Sequence, residues 1–110
     1  MSERDSGVRV VLITAPTGEP ATLLARALVE ERLAACVNLI PEVRSVYRWE
    51  GAVQDEAEAL LVVKTSAERC AALAARVRDL HPYEVPEVLV LPTSGGSTSY
   101  LEWVITESSA

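Results

Sequence analysis

At 110 residues the chain is long enough for one domain that buries roughly two thirds of the surface its unfolded form exposes. With 49% hydrophobic and 24% charged residues, its composition excludes a disordered chain. A formal charge of −6, with Lys64 the only lysine and no Lys/Arg cluster, excludes a phosphate-backbone partner, so no nucleic acid is expected.

Residues 1–7 are expected to be a flexible lead and residues 8–107 a single domain. The start, MSERDSGVRVVLITAP, offers a polar lead and then only a strand-length apolar run. Neither a signal peptide nor a membrane partner is expected from it, and the expected location is cytoplasmic. VRVVLITA, 8–15, is a β-branched strand stopped by Pro16 and Gly18. Ala21, Leu24, Ala25, Leu28 and Ala35 then recur at helical spacing and predict a first helix over about 19–36. VNLIPEVRSVYRWE and AVQDEAEALLVVKT form two extended arms meeting at Glu50-Gly51, a long hairpin in which Pro41 marks a bulge or an exit from the sheet.

Cys70, Leu73, Ala74, Val77 and Leu80 give the second helix, with a capping-box pattern at Thr65 and Glu68. His81 precedes Pro82, which drives it out of the helical region and ends that helix near Leu80. EVLVLP, 87–92, is the fourth strand, and SYLEWVITE is a terminal helix with Ser99 and Glu102 again in capping-box spacing. The order β-α-β-β-α-β plus a C-terminal helix is that of an α+β, ferredoxin-like sandwich with a long hairpin between its second and third strands. Hairpin arms longer than the other strands leave unpaired edges, which predicts a closed cyclic oligomer.

Candidate chemistry is sparse. Cys36 and Cys70 stand in no metal-ligand spacing and are expected to be buried free thiols within helical patterns. Gly95-Gly96-Ser97-Thr98 lacks the lysine of a phosphate loop and is expected to be a turn. On the first arm Tyr47 and Trp49 share one face and Arg44 and Arg48 the other. The aromatics suit a stacking platform for a ligand or a subunit contact. Glu56 and Glu58 share a face of the second arm, as paired carboxylates for acid–base work or a hard cation, or as a solvated face. His81, the only histidine, lies among Tyr83, Glu84 and Glu87 in a proline-stiffened connector that could hold a borderline divalent ion.

Taken together, ALVEERLAACVNLIP (27–41), SVYRWEG (45–51), VVKT (62–65), HPYEVPE (81–87) and YLEW (100–103) resemble the CutA family of divalent-cation tolerance proteins over about residues 8–107. The resemblance implies a ferredoxin-like subunit in a homotrimer, built like the PII signalling proteins, and a non-enzymatic part in the response to metal ions. It requires no cofactor; copper or another divalent cation is the ion it implies. The family's copper ligands are a first-strand cysteine and a His-His pair, positions that are Ile13, Leu80 and His81 here, leaving His81 as the metal candidate with Glu84 and Glu87. The alternative is a signalling trimer that takes a small ligand or protein partner in inter-subunit clefts lined by Tyr47, Trp49, Lys64, Tyr83 and Glu87. A hydrolase of the acylphosphatase type shares the sandwich but needs an arginine in the loop after the first strand, and TAPTGEP has none.

Overall fold

The computed structural model describes residues 4–83 and 85–110. β1 (Val8–Ala15) leads into α1 (Glu19–Glu30), and β2 (Cys36–Trp49) and β3 (Ala52–Ser66) form the hairpin. A 3-10 turn, Ala67–Arg69, opens α2 (Cys70–Leu80), and β4 (Leu89–Pro92) precedes α3 (Thr98–Glu107). The strands lie in the order β2-β3-β1-β4 with every neighbouring pair antiparallel, the ferredoxin-like α+β arrangement expected from the element order.

Register divides the sheet into two unlike faces. Val11, Ile13 and Ala15 stand opposite Val63, Leu61 and Ala59, so one face carries an unbroken apolar set. Leu24 and Leu28 of α1 and Leu73 and Val77 of α2 close over it to make the main core. On the other face α3 covers only one end, packing Val104 against Val8 and Ala35. Leu12 and Val62 face the same way, opposite Leu89 and Asn38, and there Ile40, Leu89 and Leu91 are 41%, 53% and 41% exposed.

The hairpin explains the elongated shape. β1 pairs with β3 only as far as Ala59, so the rest of β2 and β3 runs on as a two-stranded ribbon. The ladder passes from Ile40↔Leu60 to Val43↔Glu58, two residues against one, which is the bulge that Pro41 demands because it has no N–H to donate. At the tip Glu50 and Gly51 both hold positive φ, 50° and 80°, the two-residue turn whose twist suits a hairpin. The radius of gyration, 14.7 Å, exceeds the roughly 13 Å of a compact chain of this length.

Several boundaries differ from the sequence pattern. α1 stops at Glu30, not near 36: Arg32 takes φ 58° and the Ala35 N–H is already donated to the Lys64 carbonyl at 2.9 Å. Leu33, Ala34 and Ala35 are buried as a helical stripe would be, but by a turn entering the sheet. Cys36 therefore opens a strand, Cys70 opens α2, and both are free and half-buried. Burial raises the Cys70 thiol above its ordinary range. Neither capping box forms. Thr65 donates its hydroxyl to the Leu33 carbonyl at 2.7 Å, and the residues before the two helical turns are Ser66 and Ser97, without side-chain caps. β4 starts at Leu89 instead of 87, beyond Pro86, whose missing N–H cannot enter a ladder. Of the expected lead, Ser6 donates its N–H to the Thr93 carbonyl at 3.1 Å, and Asp5 is held near a pKa of about 2 by Arg9 and the Gly7 N–H.

Candidate ligand cleft

Three short pieces of chain build the site. On the ribbon, Ser45 stands opposite Glu56 and Tyr47 opposite Gln54, so Tyr47, Trp49, Glu56 and Glu58 share a face. The Tyr47 hydroxyl reaches diagonally to donate to Glu56 Oε2 at 2.9 Å. The third piece is the connector after α2. Pro82 forces His81 into extended backbone, φ −83° and ψ 133°, and the chain turns back across the end of β1.

His81 is the pin of that turn. It is buried, with Nε2 2.5 Å from the Thr14 carbonyl and Nδ1 3.1 Å from the Tyr83 amide. A carbonyl only accepts and an amide only donates, so the ring proton sits on Nε2 and both nitrogens are engaged. The Tyr83 ring lies against the imidazole with centroids 4.6 Å apart, and its hydroxyl donates to Glu58 Oε2 at 2.9 Å. Connector and ribbon are thereby tied together.

Between them lies a cleft of about 730 Å³ lined by Tyr47, Trp49, Glu56, Glu58, Tyr83 and Glu87, with Arg44 at its side. Burial, then the hydrogen bond to Glu58, pushes the Tyr83 phenol far above its ordinary range. The hydrogen bond to Glu56 raises Tyr47 as well. Partial desolvation, followed by the nearby Glu58, raises the Glu87 carboxyl. Arg44 adds no free positive charge, because its guanidinium donates twice to Asp55, at 2.7 and 2.9 Å, which raises the arginine and lowers the aspartate.

Within one chain Tyr47, Trp49, Tyr83 and Glu87 line the same cleft, and Lys64 lies elsewhere on the sheet. It stands six residues beyond Glu58 on β3, roughly 20 Å along the strand, and donates to Asn38 Oδ1 near the opposite end of the sheet. Glu56 and Glu58 both line the cleft, Glu58 buried and Glu56 exposed to solvent. The shared parity of 47, 49, 56 and 58 across a two-residue turn is the signal that places them there.

A family model described as the CutA1 divalent ion tolerance protein matches residues 9–107. The chain belongs to that family. It is 53% identical over 95 residues to the divalent-cation tolerance protein CutA of Thermus thermophilus, spanning 86% of this chain and 92% of that protein. The solved Thermus thermophilus structure superposes with a TM-score of 0.88 at 50% identity, covering 91% of this chain and 97% of that one. A structure from Nostoc, described as the PII-like protein CutA in apo form, superposes at 0.86 with 38% identity, over 92% and 97% of the two chains. The human Protein CutA is 47% identical over 103 residues, 92% of this chain, which spans only 58% of that longer protein.

The family description makes a metal centre a natural expectation for this chain. Among the described residues no three His, Cys, Asp or Glu side chains come together to hold an ion. A bond from His81 would displace either the Thr14 carbonyl or the Tyr83 amide. Ile13 is fully buried in the helix-side core, and Leu80 faces a separate groove beside Pro20 and Leu23 of α1. Glu84 lies outside the described residues, and Glu87 belongs to the cleft.

Proposed function

We propose that this CutA-family chain is a non-catalytic binding protein that assembles as a homotrimer and takes a small ligand in the cleft between ribbon and connector. On this reading its part in divalent-cation tolerance runs through that ligand or a protein partner, not through a copper or other divalent ion held at His81. The observation that carries it is the cleft itself: its volume falls within the span of small-molecule sites, and its aromatics and a few placed polar groups are held by side-chain hydrogen bonds. The PII-like description of the Nostoc relative supports it, and the family description names an ion tolerance and no reaction.

The trimer is supported by the apolar sheet face left bare beside α3 and by the ribbon's unpaired edges. A cytoplasmic location is in keeping with two free cysteines. No membrane partner is proposed, and among the described residues no helix is long and apolar enough to cross one.

Screening metabolites by thermal shift, with NMR follow-up on the labelled protein, tests the reading. A true ligand raises Tm and moves the Tyr47, Trp49 and Tyr83 signals together. If no metabolite at millimolar concentration moves those signals, the ligand-cleft reading fails.

A further inference from the structure

We propose that the cleft selects an organic cation, an ammonium or guanidinium group carried on a flat apolar body, over nucleotides and other anions. This rests on reading the cleft as a ligand site, and it adds the chemical class of the ligand.

Charge argues first. Three carboxylates, Glu56, Glu58 and Glu87, line the space, and the cation beside them, Arg44, is already matched by Asp55. Glu58 is the decisive one. It is only 6% exposed, its Oε2 accepts from Tyr83, and Oε1 has no hydrogen-bond partner among the described residues. A largely buried carboxylate whose free oxygen opens on the cleft gains from a cationic donor and repels a phosphate, since screening is weaker inside a walled space.

Shape argues next. Tyr47, Trp49 and Tyr83 supply the aromatic surface over which an organic ammonium is held by the ring quadrupole. The two hydroxyl-to-carboxylate bonds fix both tyrosines, so the wall does not have to be ordered when a ligand arrives. A bare ion is too small to fill the cleft, because the carboxylates share a space of about 730 Å³ without converging as three metal donors among the described residues. Desolvation first, and then the neighbouring Glu58, raises the Glu87 carboxyl, and an incoming cation offsets the second of these.

The test uses a pair of probes of matched size and opposite charge. Phenethylamine and 3-phenylpropionate are titrated separately into the isotope-labelled full chain, followed by ATP and calcium chloride. Phenethylamine is expected to shift the Trp49 indole N–H and the Tyr83 amide saturably, with affinity falling at least about tenfold in Glu58→Gln and in Glu87→Gln, while the other probes leave those signals in place. Gln at 58 still accepts the Tyr83 hydroxyl, and Glu87 lies at the solvent rim, so the pair separates lost charge from lost fold. Equal or tighter binding of 3-phenylpropionate, ATP or calcium at those signals overturns the cation selectivity while leaving the cleft a ligand site. Unchanged phenethylamine affinity in both variants, or silence towards all four probes, overturns it as well; the cleft reading itself falls only with the metabolite screen.

Discussion

His81 belongs to the HPYEVPE stretch and also braces the connector that carries it. Its two ring nitrogens bind main chain from β1 and from its own connector, so it acts as a strut that sets Tyr83 against Glu58. His81→Ala is therefore expected to lose about 2–3 kcal/mol of stability, from two buried hydrogen bonds and the vacated volume, measured by urea unfolding. Calorimetric titration with copper should give the same heats for the variant and the wild type; a copper heat that disappears with His81 would establish the metal reading instead. Glu87 makes the opposite kind of prediction. Its folded-state pKa is raised, so the native state binds the extra proton, and stability falls as pH rises from the unfolded carboxylate range through the folded value. Glu87→Gln should thus stabilise the chain at pH 7, by less than about 1 kcal/mol because solvent screens the site, and the gain should vanish at pH 4 and below. Thermal melts at the two pH values check the sign.

Among elements, the hairpin turn is the most exposed to a single change. A methyl group at Gly51 meets open space, so Gly51→Ala probes the backbone alone, at φ 80°. It is expected to cost about 1 kcal/mol, and Glu50→Asn to recover a few tenths, by chemical unfolding. This turn, the bulge at Pro41 and the end of α2 were all legible in the sequence, because proline and glycine act locally through missing donors and permitted φ. The end of α1 was not. Leu33, Ala34 and Ala35 are buried apolar residues whether they lie on a helix or in a turn, and only pairing with Lys64, far along the chain, decides between them. Thr65 fell to the same competition: the Leu33 carbonyl takes the hydroxyl that local pattern assigned to a helix cap. The cleft was half legible. Parity along the ribbon gathers Tyr47 and Trp49 on one side of the turn and Glu56 and Glu58 on the other, but the separation of Lys64 from them within one chain depends on strand length, and the burial of Glu58 on a connector folded against it.

At the scale of the whole molecule, surface area joins the bare sheet face and the protruding ribbon. A compact monomer of 11.9 kDa exposes about 6,000 Å². This chain exposes 6837 Å². The excess of roughly 800 Å² is about one partner's share of a standard interface, and it sits on a chain whose Ile40, Leu89 and Leu91 are left partly uncovered on one face. Burying the exposed half of each such side chain in an interface contributes about 0.7–1.5 kcal/mol, or roughly three- to tenfold in an assembly constant. A charge placed there must therefore act on assembly more than on the fold, since these side chains stand outside the core built under α1 and α2. Light scattering of the wild type at micromolar concentration is expected to give three times 11.9 kDa, and Ile40→Lys with Leu89→Lys to give 11.9 kDa with the circular dichroism of a folded chain. A wild type that scatters as 11.9 kDa would contradict the trimer, and a double variant that stays assembled would move the interface off this face and onto the ribbon edges.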